Sequence, residues 1–250
     1  MDIYEIQLYY ISFNKQQKLE NELRNIGFKN INYYESINGK KLNIDSLVEN
    51  NTISSRTYID LIDGRHQHSG IPSLGAIGCY MSHYNLWEKC VSNNLPYIII
   101  VEDDVYINKI SEKNIDKITN ILLKPNSIFI SSNVTKNKIT YFQGTHFYIA
   151  SNDACKNLIE KAFPIDVQVD YYISYMDTLK KIYIEGFNIF YQKKHISSIQ
   201  DICLKCFLPN NIKEYILYIL FILFILILFI FIISKLKNRM DNIIIISDEK

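Results

Sequence analysis

The sequence lacks a charge excess of either sign. Its 27 basic residues stand against 26 acidic ones, a formal net charge of +1 over 250 residues. Bulk attraction to a polyanion needs a basic excess, so nucleic acid is excluded as a partner on this ground. A locally charged site for a diphosphate-bearing partner stays compatible with a balanced chain. Cysteine is sparse and odd in number: Cys79, Cys90, Cys155, Cys203 and Cys206. Five scattered thiols in a chain this long are no disulfide framework. Cys203 and Cys206 form a lone CxxC, and a zinc site needs two more ligands at suitable spacing, which are not nearby. Ordinary thiols are expected, with a palmitoylated pair beside a membrane segment as the alternative. The opening stretch MDIYEIQLYYISFNKQQ has neither the basic start nor the small-residue cleavage site of a secretory signal. Internal repeats and low-complexity linkers are also missing.

What is present divides the chain by composition. Residues 215–233, YILYILFILFILILFIFII, form an apolar run without charge, Gly or Pro. As a helix at about 1.5 Å per residue the run covers roughly 28 Å, close to the ~30 Å hydrocarbon core of a bilayer. A C-terminal transmembrane helix over 215–233 and a short polar tail over 234–250 are therefore expected. Lys235, Lys237 and Arg239 after the run favour a cytosolic C-terminus. The lack of a leading signal favours instead a tail anchor with the large domain in the cytosol. The expectation is a single-pass membrane protein with a cytosolic domain. In the lumenal alternative, Asn50-Asn51-Thr52 and Asn133-Val134-Thr135 fit the glycosylation pattern.

Residues 1–208 read as one globular α/β domain. Strands are expected over Ile3–Ile11, Asn30–Tyr34, Tyr97–Val101, Ser127–Ile130 and Thr145–Ala150. Helices are expected over Lys15–Asn25, closed by Gly27, and over Cys79–Asn93, Ile115–Leu123 and Asp153–Ala162, the last capped by Ser151 or Asn152. The alternation predicts a mostly parallel central sheet.

The stretch LPYIIIVEDDV places three carboxylates, Glu102, Asp103 and Asp104, at the carboxyl end of an apolar strand. Ligands in open α/β sheets bind beyond such ends. Two carboxylates about 4 Å apart repel by roughly 4 kcal/mol at an effective dielectric of 20. A divalent cation such as Mn²⁺ or Mg²⁺, joined to a substrate phosphate, removes that repulsion. Side chains two apart on an extended chain point the same way, so Glu102 and Asp104 are expected to face one cleft and Asp103 another. A solvated acidic turn is the plainer alternative. His66-Gln-His68 has the look of a metal clip but lies in a polar loop, and is read as solvated surface.

The surrounding blocks carry a resemblance. Asn38-Gly39 comes first, then Ile77, Gly78, Cys79, Ser82, His83 and Trp87, then the three acids. Gly144, Thr145, His146 and Tyr148 follow, then Asp170, and finally His195, Ser197 and Ser198. In this order and spacing the chain resembles glycosyltransferase family 25, the group of bacterial lipooligosaccharide galactosyltransferases and procollagen galactosyltransferases. The resemblance runs from about residue 3 to residue 200. The first strand lacks the family's arginine pair, with Lys15 or Lys18 as substitute, and Ala76 stands where the family has an acid.

The resemblance implies a GT-A-like single domain and transfer of a hexose, with inversion, from a UDP-sugar to a hydroxyl of a glycan, glycolipid or hydroxylysine-type acceptor. It implies Mn²⁺ or Mg²⁺ held by Glu102 and Asp104, with His195 completing the shell. Asp103 would reach the ribose or sugar. Asp170 is the expected general base, with Asp166 second. Gly39, Lys18, His83 and His146 are the candidates for donor contact, the two histidines being equally readable as packed structural residues. The membrane segment would hold the enzyme near its acceptor. Two other readings stay open: an inactive membrane-tethered relative that only binds, and a metal-dependent phosphohydrolase using the same acids.

Overall fold

The computed structural model describes residues 1–193 and 219–229. The chain divides into two compact units, Met1–Lys205 and Cys206–Lys250, and the first holds every element named here. In chain order these are β1 (Gln7–Ser12), α1 (Gln17–Ile26), β2 (Ile31–Glu35), α2 (Ile44–Glu49), α3 (Ser55–Asp63), α4 (Leu74–Ser92) and β3 (Tyr97–Glu102). There follow β4 (Val105–Tyr106), α5 (Glu112–Leu122), β5 (Ser127–Ile130), β6 (Thr135–Lys136), β7 (Thr140–Tyr141) and β8 (Phe147–Ser151). The unit continues with α6 (Asn152–Glu160), α7 (Val169–Thr178), β9 (Tyr183–Gly186) and β10 (Tyr191–Gln192).

Six strands form one sheet in the order β2-β1-β3-β8-β5-β9. Only β8 runs against its neighbours, so the sheet is mostly parallel. β3 lies near the middle and shows why its sequence is apolar throughout. Ile98 and Ile100 enter the core under α4, α6 and α7, while Ile99 and Val101 enter the core under α1 and α5. A strand covered on both faces alternates sides but not polarity. Each such isoleucine removed from water contributes about 1.5–3 kcal/mol.

The helices follow from spacing and caps. Leu19 and Leu23 of α1 are buried one turn apart, and Gly27, at φ 123°, closes the helix with its N–H on the carbonyls of Leu23 and Arg24. Ser73 opens α4 by accepting from the Ala76 N–H, and Ser111 and Ser151 open α5 and α6 in the same way. α4 therefore starts five residues earlier than its apolar spacing suggests and takes Gly75 and Gly78 inside. Gly78 is needed there: a Cβ would sit 2.4 Å from the Ile37 carbonyl oxygen. Residues Ile3–Glu5 are a 3₁₀ turn, and β1 begins only at Gln7.

The reversal of β8 decides what meets at one edge. β1 and β3 end there, and β8 begins there, with Val101 opposite Phe147. The Glu102 N–H donates to the His146 carbonyl at 3.0 Å. The first residues of β8 thus meet the last residues of β3.

The expected membrane span and the single-pass localisation built on it are corrected. No helix among the described residues is long and apolar enough to cross a membrane. Within 215–233, residues 219–229 are helical. Residues 215–218 and 230–233, and the polar tail, lie outside the described residues.

Candidate active site

A cavity of about 760 Å³ opens at the edge where β3 ends and β8 begins. Its volume is that of a small-molecule site. Three carboxylates from two remote segments line it: Glu102 at the end of β3 with Asp104 just after it, and Asp170 in the first turn of α7. Cys79 comes from α4, and Gln143, Gly144 and Thr145 come from the approach to β8. Two cationic side chains complete the wall, Arg65 from the loop after α3 and Lys193 after β10. A smaller cavity of about 530 Å³ beside α7 contains Asp177. That acid is already engaged by Lys136 at 3.2 Å, Thr140 at 2.5 Å and the Ile184 N–H at 2.7 Å.

The acidic triplet separates as it leaves the strand. Asp103 is exposed and turns to β1, where the Ser12 hydroxyl donates to its Oδ2 at 2.6 Å. Asp104 faces the cavity, accepts at Oδ2 from Gln192 Nε2 at 2.8 Å, and keeps Oδ1 buried with no partner. Burial, then the charge of Glu102, raises the Asp104 carboxyl above its ordinary value. Glu102 behaves oppositely. Burial alone would push it up, but the contact and charge of His83, then the Thr145 hydroxyl at 2.5 Å, bring it below its ordinary value. A cluster that holds one buried carboxylate oxygen unpartnered and places a second acid beside it fits a hard divalent cation.

Behind Glu102 stands a buried relay. His83, fully buried, has Nε2 3.3 Å from Glu102 Oε1, close enough for an ion pair but off the line of a hydrogen bond. Its Nδ1 meets the Tyr148 hydroxyl at 2.9 Å, and Tyr148 accepts from Trp87 Nε1 at 2.9 Å. The two rings of His83 and Tyr148 stack at 5.6 Å between centroids. Burial, then Glu102, Asp170 and Asp104, pushes the Cys79 thiol well above its ordinary value.

Asp170 receives the Tyr171 N–H at Oδ1 over 2.8 Å. Burial nonetheless dominates and raises its carboxyl. Asp166 is held elsewhere: it accepts from Ser54 at 2.5 Å and pairs with Arg56 at 3.5 Å, and it is not among the residues lining the cavity. Lys18 sits on the exposed face of α1, 3.9 Å from Glu22. Gly39 is buried under the start of α4, where a Cβ would lie 2.1 Å from the Leu74 carbonyl oxygen. His146 is buried beneath the acids, with Nε2 3.2 Å from the Phe190 carbonyl and Nδ1 unpartnered. His195 lies outside the described residues. His66 is exposed and 3.4 Å from Asp63, whereas His68 reaches the cavity wall.

His68 was read as solvated surface yet lines the cavity, and Arg65, Gln192 and Lys193 escaped the sequence reading. No motif marks the last three. Arg65 donates to the His68 carbonyl at 3.1 Å, and Gln168 holds the same carbonyl at 2.7 Å, which folds that loop onto α7. Lys193 is placed by the pairing of β10 with β4 and by its N–H on the Asp104 carbonyl at 2.7 Å.

The family profile described as Glycosyltransferase family 25 (LPS biosynthesis protein) matches residues 5–173. The chain belongs to glycosyltransferase family 25. The matched stretch includes the three acids, the relay and Asp170, and the fold around them is the mixed α/β sheet described above. A "Glycosyltransferase 25 family member" of Drosophila pseudoobscura pseudoobscura is 29% identical over 106 residues, 42% of this chain and 16% of that protein. The "Lipooligosaccharide biosynthesis protein lic2B" of Haemophilus influenzae is 54% identical over 39 residues, 16% of this chain and 15% of that protein. Mammalian relatives named inactive or probable inactive also match. A solved glycosyltransferase involved in glycosylation of the major capsid of PBCV-1 aligns with TM-score 0.30 and 16% identity, covering 61% of this chain and 62% of that one. The chain thus covers well under two thirds of the length of the curated glycosyltransferase 25 relatives it matches.

Proposed function

We propose that this glycosyltransferase family 25 chain transfers a hexosyl group, galactose or a close relative, from a UDP-sugar to a hydroxyl of a glycan, glycolipid or hydroxylysine-type acceptor, with inversion. The observation that carries the reading is the convergence of Glu102, Asp104 and Asp170 on one cavity that Arg65 and Lys193 also line. The catalytic unit is residues 1–208. Asp104, with its unpartnered Oδ1, and Glu102 are the residues to hold a divalent cation, Mn²⁺ or Mg²⁺. Such an ion, when bound, supplies charge to offset the departing diphosphate. Arg65 and Lys193 add positive charge for the same diphosphate and stand in for the arginine pair missing from the first strand. Asp170 takes the proton of the acceptor hydroxyl. A carboxyl raised by burial is the stronger base, which suits that role. Asp103, tied to Ser12 at the end of β1, faces where a ribose or sugar hydroxyl would lie beside the acids.

The test is UDP binding by the full chain with and without Mn²⁺, for wild type and Asp104→Ala. Manganese-dependent binding that disappears in the variant is expected. Equal binding by the two proteins would remove the metal-and-diphosphate reading. A second reading, a binding protein that keeps the fold without turnover, is favoured by the inactive relatives and the missing arginine pair. It predicts UDP binding but no UDP release from any UDP-sugar in the presence of acceptor.

A further inference from the structure

We propose that Cys79, His83 and Glu102 form a binding site for a thiophilic divalent cation of the zinc class. One ligand atom from each residue lies within 4.8 Å of the other two. Cys79 and His83 are four apart on α4, so one helix face presents both. Glu102 meets them from the end of β3. A thiolate, an imidazole and a carboxylate are the ligand set of a tetrahedral zinc site that keeps a fourth position open. A hard ion such as Mg²⁺ has no preference for that sulfur.

His83 gives the second, independent observation. It has no exposed surface, and its Nε2 is buried, makes no hydrogen bond and lies 3.3 Å from Glu102 Oε1. A nitrogen lone pair facing a carboxylate is repulsive, and an N–H there is poorly aligned. A cation in front of Nε2 relieves the first and removes the need for the second. The outer nitrogen is already held. Nδ1 lies 2.9 Å from the Tyr148 hydroxyl, which Trp87 fixes from the other side with an indole that only donates. A metal-bound histidine is regularly anchored through its outer nitrogen in this way. Access is provided as well, because Cys79 and Glu102 both line the large cavity. Glu102 is also one of the donor-side acids. On the transferase reading, occupancy of this site withdraws that carboxylate and makes zinc an inhibitor that manganese does not simply replace.

The test uses the full chain, the metal alone and no sugar donor, so its outcome is independent of transfer. Titration with Co²⁺ is expected to give a thiolate-to-cobalt charge-transfer band and tetrahedral cobalt absorption at one ion per chain, both abolished by Zn²⁺. Cys79→Ser should lose the charge-transfer band and weaken binding by about 100-fold, and Tyr148→Phe should weaken it by about 10- to 100-fold. The double variant Cys203→Ser/Cys206→Ser should leave the band intact. A band that survives Cys79→Ser, or that vanishes only with Cys203 and Cys206, overturns the proposal. X-ray absorption of the zinc-loaded wild type is the measurement that needs no variant. One sulfur at about 2.3 Å with nitrogen and oxygen at about 2.0–2.2 Å is expected. A shell without sulfur refutes the site.

Discussion

Replacing Tyr148 by phenylalanine removes one oxygen from the centre of the domain and nothing else. That oxygen serves two buried groups, accepting from Trp87 Nε1 at 2.9 Å and meeting His83 Nδ1 at 2.9 Å. Both residues have no exposed surface, so water cannot take over. Leaving a buried polar group unsatisfied costs about 1–3 kcal/mol, and two groups give about 2–6 kcal/mol, with about 3 as the central expectation. The ring remains, so packing against the sheet is unchanged and no cavity term is added. For a domain of this size each kcal/mol lowers Tm by about 2–4 °C, which makes the expected fall roughly 6–12 °C. Thermal melts followed by circular dichroism, in chelator so that no metal contributes, measure it. Tyr84→Phe is the control. Its hydroxyl donates to Glu88 at 2.8 Å in an exposed pair one turn along α4, so it should stay within about 0.5 kcal/mol of wild type. Equal Tm values for Tyr148→Phe and Tyr84→Phe would refute the relay as a buried, two-sided hydrogen-bond chain.

Three further outcomes follow from other parts of the molecule. Asp170→Asn should lower kcat by about 10²- to 10⁴-fold while UDP binding is kept, and unchanged turnover would remove Asp170 as the base. Gly39→Ala drives a Cβ to 2.1 Å from the Leu74 carbonyl; because the obstacle is backbone, about 1–3 kcal/mol or more should be lost in urea melts. Tyr10 donates to Glu20 at 2.7 Å, and burial, then that bond, pushes its hydroxyl up to about 12 from 10.0. The folded state prefers the neutral phenol, so this contribution is complete below pH 10 and is lost as pH rises through about 12. Urea midpoints should therefore fall less steeply between those values in Tyr10→Phe than in wild type.

The parts of the fold legible in the sequence are those whose pattern is enforced by burial on both sides. β3 and β5 read as strands because every residue from Ile98 to Val101 and from Ile128 to Ile130 is enclosed. α7 was not legible: VDYYISYMDT is rich in aromatic residues that favour strands, and it is helical because Tyr172, Ile173 and Met176 face the core at helical spacing. The two-residue strands β4, β6, β7 and β10 are too short to carry a period. The acids of the site were legible because like charges at a strand end demand a reason. Arg65 and Lys193 were not, since only tertiary placement brings a basic residue of an ordinary loop to that cavity. The apolar run at 215–233 was legible as composition, but no helix among the described residues is long and apolar enough to cross a membrane.

The parallel pairing of β1 with β3 sets Gln7 beside Ile98 and Ile11 beside Glu102. β1 leaves the ribosome before β3 and stays half-paired until about ninety more residues are made, several seconds at roughly 5–20 residues per second. During that interval its inner edge is an open template, and the strand relies on β2 alone for cover. The acids assemble later still, because Asp170 waits on α7 and Gln192 on β10. High contact order of this kind means slow folding and a late-forming centre. A nascent chain stalled before α7 would carry most of the sheet and none of the completed chemistry.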